Sequence, residues 1–388
     1  MHPMGSRMKL LSMLAAVAVA GTIATVARGG HELPVYPSYY PHEIAIETVA
    51  PESAERLLRE SKIHAYLGDA PNISRELPAS MRAVESLGGF VIVRINPLSP
   101  SAKGEASACA AVETVARDIA GKDSIVFHPY PVTPYHGDYI YHADLADAAK
   151  TRFLQASAET PGRSIVNLHV KADARLASLV RSAWRTEGPD WDVAIEEVSV
   201  TNLMTAARTS LNGWLGPPWV KSGWFHAALI LIDTVEDADR KQLIDAALKQ
   251  LETRDYRDAA DQVNLQRDLV AGLIANCRKV VVGYTAKREY VTTEFTEGIE
   301  NIGFDSIDGL NSPMFIRTVK LKNFPWNGWL VLGIDSAPNA AWNPIAGFSD
   351  GFGRLLWSAV GDPALLSAPY DSGWMINRIS DVRSNAGR

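Results

Sequence analysis

The sequence predicts an α/β N-terminal domain, with a mixed or parallel sheet built from βαβ units, followed by an α+β C-terminal domain. Three observations carry that prediction. Strand-like and helix-like segments alternate from about residue 44 to residue 170, as a sheet layered with helices requires. Beyond residue 187 the helices and strands come in runs instead. The aromatic content also changes partway, since all ten tryptophans lie at or beyond Trp184 and eight of the nine histidines at or before His169. A chain of 388 residues exceeds what one core ordinarily organises. The expected boundary is the "TEGPDWD" turn at 186–192, which gives domains at 31–186 and 187–388.

Residues 1–28 read as a signal peptide or N-terminal anchor. Arg7 and Lys9 precede an uncharged apolar run from Leu10 to Ala27, with small residues toward its end. That is the order of a secretory signal, and Thr25 and Ala27 suit the −3 and −1 positions of a cleavage site. The run is also near the ~17-residue lower limit for spanning a bilayer, so cleavage and retention both stay open. The most apolar later stretch, "FHAALILI" from Phe225 to Ile232, is far shorter than the ~20 residues a spanning helix needs. A formal charge of −6, with no block or stripe of Lys and Arg, excludes a nucleic-acid partner.

The first domain opens with the strand "IAIETV", the helix "PESAERLLRES" and the strand "KIHAYLG", ending at Gly68. Pro51 suits the first turn of that helix, and the unit favours parallel pairing with a right-handed crossover. This opening, with "AERLLRESKIHAYLG", resembles that of exported solute-binding proteins, in which a helix leads into a strand at the cleft. The resemblance covers about thirty residues and transfers no site. "GFVIVRINP" is then a buried strand stopped by Pro97. The helix at 104–120 carries Ala108, Ala111, Val112, Val115 and Ile119 on one stripe. The strand "SIVF", a helix from Asp144 to Ala158 and the strand "SIVNLHV" complete the domain.

In the second domain "DVAIEEVSV" is strand-like. A helix at 236–251 turns Ile244, Ala247, Leu248 and Leu251 inward, and a second runs from Asp258 to Lys279. "VVVGYTAKREYVTTEF", "MFIRTVKL" and "GWLVLGI" read as strands. Cys109 and Cys277 both sit among small and apolar neighbours. An oxidising compartment permits a bridge between them, but sequence does not give the Cα approach a bridge needs.

The densest chemistry is "HPYPVTPYHGDYIYH" at 128–142. Read as extended backbone, it projects His136, Asp138 and His142 to one side, and Gly137 permits a turn toward His128. That set suits zinc, copper or iron. Tyr130, Tyr135 and Tyr139 offer a ligand-binding wall, as do Trp214, Trp219 and Trp224 in "NGWLGPPWVKSGWFH" at 212–226. The alternative for both stretches is structural packing, since the histidine spacings match no established metal motif. No G-x-S-x-G, S-x-x-K, HExxH or CxxCH occurs. The functional expectation is an exported, periplasmic, non-enzymatic protein. It binds a small ligand or metal, or serves as an accessory to a membrane-associated partner. The alternative is a metal-dependent hydrolase or oxidoreductase using the His128–His142 loop.

Overall fold

The computed structural model describes residues 41–381 apart from 71–72, 74–75, 101–103, 123–124, 160–166, 211–215, 295–297, 324–327, 340–349, 362 and 378. The signal or anchor at 1–28, Trp214 and the front of the expected strand at 164–170 lie outside the described residues. No helix among the described residues is long and apolar enough to cross a membrane.

β1 (Glu43–Thr48), α1 (Pro51–Arg59) and β2 (Ala65–Tyr66) form the expected opening. The long strand β3 (Met81–Ile95) follows, then α2 (Glu105–Ile119) and β4 (Val126–Phe127). Next come α3 (Ala143–Glu159), β5 (Val170–Ala172) and β6 (Val193–Ser199). Four helices then run in succession: α4 (Val200–Ser210), α5 (Gly223–Leu231), α6 (Ala238–Thr253) and α7 (Ala259–Leu273). The last two start where an aspartate accepts a backbone N–H, Asp237 from Arg240 at 2.7 Å and Asp258 from Asp261 at 2.9 Å. Such caps satisfy donors that a helix leaves open at its first turn. Beyond them lie β7 (Lys279–Thr292), β8 (Ile299–Asn301), α8 (Pro313–Thr318), β9 (Lys320–Leu321) and β10 (Trp329–Ile334). α9 (Gly351–Val360) precedes a small hairpin of β11 (Leu365–Ser367) and β12 (Trp374–Ile376).

The fold is α/β, with helices on a mixed eight-stranded sheet ordered β1-β10-β2-β7-β3-β6-β5, and β4 pairing with β7 off that path. Strands from either side of residue 187 share this sheet. β1 and β2 are both parallel to β10 but do not pair with each other, because β10 lies between them. In β10, Leu330, Leu332 and Ile334 share one face and are all buried. β3 and β7 form a long antiparallel pair, interrupted by register shifts at Leu87/Gly89 and Val91/Ile92.

Side chains alternate across a strand, and β3 uses that to build two cores. Val91, Val93 and Ile95 pack with the apolar stripe of α2. Phe90 and Ile92 pack on the opposite face with α5 and α7. The cysteines are bonded, Cys109 on α2 to Cys277 after α7, with Cα atoms 5.0 Å apart. Closing a loop of that length is worth about 5 kcal/mol in the chain-entropy picture.

Three local expectations are corrected. "MFIRTVKL" is mostly α8, since Ser312 accepts the Phe315 N–H and Pro313 occupies the first turn, a start signal stronger than the strand-like alternation after it. The helix begun at 258 stops at Leu273. Residues 137–141 are a 3-10 helix rather than extended backbone.

Candidate functional site

The His/Tyr stretch leaves β4 at Phe127 and immediately turns inward. His128 is buried, with Nε2 2.8 Å from the Val132 carbonyl, and burial lowers its pKa. Three successive i to i+3 bonds follow: His136 N–H to Thr133 O, Tyr139 N–H to His136 O and His142 N–H to Tyr139 O. These wind the segment into its 3-10 turn. Gly137 is required there, because a Cβ would strike the backbone of Tyr370 and Asp371.

Each polar side chain of the stretch has its own partner. Asp138 accepts the N–H groups of Gly223 at 2.9 Å and Trp224 at 3.2 Å, so it caps α5 from a distant part of the chain. Burial raises its pKa. His136 accepts the Thr133 N–H on Nδ1 at 2.9 Å. The ring proton therefore sits on Nε2 and is donated to His226 Nδ1, 3.0 Å away. His226 Nε2 in turn faces Met204 Sδ at 3.0 Å. Phe90 stacks on His136 and meets His226 edge-on. Burial lowers the pKa of both imidazoles, that of His226 to about 4. His142 pairs with the Tyr130 hydroxyl at 2.8 Å, and burial lowers it to about 4. Its Nε2 is buried with no hydrogen-bond partner among the described residues.

The four expected metal ligands, His128, His136, Asp138 and His142, thus share a region but no common point. Among the described residues no group of three or more His, Cys, Asp or Glu side chains is placed to hold a metal ion. Of the expected ligand wall, Tyr130 and Trp224 are core residues, 1% and 2% exposed. Tyr135 and Tyr139 are half-buried, packed on Tyr284 and His128 respectively. Trp219 is half-buried against Trp224 and Phe225.

Next to this region lies a buried charged cluster that no motif announced. Met204 and Arg208 stand one turn apart on α4. Arg208 grips Asp308 with both terminal nitrogens, at 2.9 and 2.6 Å. Lys221, in the turn before α5, reaches Asp305 at 2.7 Å and also bonds the Ala368 carbonyl. Asp305 Oδ1 accepts the N–H groups of Ile307 and Asp308 at 2.8 and 3.1 Å. Arg208, Asp305, Asp308 and Arg354 of α9 line a small cavity together with Asn311, Pro313, Leu355, Ser358 and Ser367. Burial pushes the Asp308 carboxyl up, but Arg208 beside it prevails and holds it at about 2. Burial, then repulsion from Arg208, brings Arg354 down to about 10. The one local signal in the sequence is "DSIDG" at 305–309, an aspartate-led turn whose Gly309 has φ 68°.

No family model matches the chain, and no curated protein does. Among solved structures it is similar to NikZ from Campylobacter jejuni in complex with Ni(L-His). That match has 14% identity over 65% of this chain and 56% of that one, with a TM-score of 0.36. It is also similar to HbpA2 from Haemophilus parasuis, at 10% identity over 70% of this chain and 56% of that one, TM-score 0.40. A periplasmic oligopeptide-binding protein from Borrelia burgdorferi matches at 12% identity over 70% and 56%, TM-score 0.41. The chain spans a little over half the length of these structures. Likeness this distant assigns neither site nor ligand.

Proposed function

We propose that this chain is an exported, non-enzymatic protein that binds a small ligand at the cavity between α4, the 305–311 turn and α9. The observation that carries the reading is the buried cluster itself: Arg208, Asp305, Asp308 and Arg354 line a small cavity, with Arg208 and Asp308 held by each other. Desolvating such groups is costly, and buried charged clusters beside a cavity are candidates for function. Export to the periplasm is supported by the signal-like order of residues 7–27 and by the bonded cysteines, since disulfides persist in oxidising compartments. The alternative, metal-dependent chemistry at the His128–His142 loop, has less support, because its imidazoles and carboxylate are each engaged elsewhere.

The test is thermal unfolding of the purified protein against a panel of small acids, sugars, amino acids, short peptides and divalent metals. One class should raise Tm in a dose-dependent manner, with a stabilisation of about 2.7 kcal/mol at roughly 100 times Kd. A panel that leaves Tm unchanged throughout, with no solute retained by the freshly exported protein in native mass spectrometry, overturns the reading.

A further inference from the structure

One contact between the His/Tyr stretch and α5 is made by two groups that can change their charge. His136 and His226 are 3% and 0% exposed, and His136 Nε2 lies 3.0 Å from His226 Nδ1. Each ring nitrogen already has a role. His136 Nδ1 accepts the Thr133 N–H, Nε2 donates to His226, and His226 Nε2 faces Met204 Sδ. The arrangement works only while both rings are neutral. A neutral imidazole has one donor and one acceptor, whereas a charged one has two donors.

A proton taken up at His226 Nδ1 turns that acceptor into a donor. Two N–H groups would then face each other across 3.0 Å, and the link to α5 would be lost. The Val220 carbonyl lies close enough to favour the protonated ring, so His226 gains a new partner. The His136 N–H is left without its acceptor, a condition in which buried donors seldom stay. His128 and His142 pair within the stretch itself, on the Val132 carbonyl and the Tyr130 hydroxyl. The His136–His226 bond crosses to another element.

The charged groups around the pair give that proton little shelter. From the stretch, His128 and His142 both disfavour a charge on His136. From α4, Arg208 disfavours one on His226, while Asp308 of the 305–311 turn favours it. Those two are spent on each other. Lys221, in the turn before α5, is turned onto Asp305, and β3 presents the ring of Phe90. Burial is the largest influence on both imidazoles and holds His226 down at about 4. Asp138 works in the opposite sense. Burial raises its pKa, so its closed position favours the protonated form and offsets part of the effect as pH falls. The long β3–β7 pair contains no histidine and gives acid no such handle.

We infer that the His136–His226 pair is an acid-operated latch. It holds the 128–142 stretch on α5 while neutral and lets go when one proton enters, leaving the β3–β7 pair in place. The device is independent of what the cavity binds.

Hydrogen exchange of the full, disulfide-bonded protein tests it, read by mass spectrometry from pH 7 to 4.5 and corrected for the intrinsic rate at each pH. A ring with a pKa of 6.5 when open and about 4 when closed makes opening about tenfold easier per pH unit between those values. Protection of peptides 128–142 and 219–231 should therefore fall about tenfold or more per pH unit, while peptides from β3 and β7 keep theirs. His226→Gln keeps an acceptor for the His136 N–H and cannot take the proton. It should remove about a factor of ten per pH unit from that fall. If His226→Gln does not fold, His136→Gln is read in the same way. A parallel loss of protection in β3 and β7 overturns the inference. So does a fall equally steep in the variant, or protection of the stretch that does not change with pH.

Discussion

The His/Tyr stretch at 128–142 and the charged cluster around Asp305 and Asp308 lie side by side, joined through His226, Met204 and α4, yet they use their polar atoms in opposite ways. The stretch is rich in imidazoles and phenols and spends nearly all of them internally: His136 on His226, Tyr130 on His142, Asp138 on the start of α5. The cluster is assembled from five residues scattered over the later part of the chain, and it leaves a buried guanidinium N–H without a partner among the described residues. A dense local motif can be architecture, and a dispersed set of ordinary charges can be the site. Each region leaves a buried nitrogen without a partner among the described residues, His142 Nε2 in the stretch and Arg208 Nε in the cluster. What separates them is that the cluster's residues line a cavity.

Breaking the cluster should have the largest effect. Asp308→Ala strands Arg208 in the interior, and losing one partner of a buried ion pair costs about 3–5 kcal/mol. Urea unfolding should show this as a lowered midpoint. A loss under about 1 kcal/mol, the range of an exposed pair, would mean that water reaches the pair, and the contrast would dissolve.

The stretch should reveal itself through acid instead. Burial lowers His136, His142 and His226 below the ordinary imidazole value of 6.5, the last two to about 4. Between those limits the unfolded chain takes up protons that the folded chain refuses. The stability these groups contribute is complete above pH 6.5 and is lost as pH falls toward 4. The slope is up to about 1.4 kcal/mol per pH unit for each imidazole. Denaturation at pH 7, 5.5 and 4.5 measures it, and a His136→Gln, His226→Gln double variant should flatten the profile. An unchanged slope in that variant would place the acid sensitivity elsewhere.

Removing the long-range cap should cost least. Asp138→Ala gives up two N–H acceptors at α5, about 1–2 kcal/mol, with no change in ligand binding if the stretch is architectural. A binding defect at full stability would move the stretch into the site and redraw the contrast between the two regions.

Much of the fold was legible because local pattern and burial agree. α2 shows its stripe in five apolar residues, all buried, and β7 and β10 declare themselves by apolar runs. Position in the sheet was not legible, since nothing near β1 or β2 says that β10 will come between them. The segment at 313–321 misled because a Ser-Pro helix start is short and the alternating residues after it are many. The cysteines could be read as bridged or free until the 5.0 Å Cα approach was known. The site was the least legible part. Arg208, Lys221 and Arg354 each look like a solvated surface charge in sequence, and only tertiary packing strips the water from them.

The Cys109–Cys277 bond encloses a covalent ring, and the ring divides the charged cluster. Arg208 and Lys221 lie within it, whereas Asp305, Asp308 and Arg354 belong to the stretch that follows. In an oxidising compartment a chain emerging N-terminus first can therefore seal its ring while Arg208 and Lys221 still await their carboxylates. The cavity comes into being only when the later stretch docks. A chain cut short after Thr292 would carry two uncompensated cations, Arg208 and Lys221, where its interior should be.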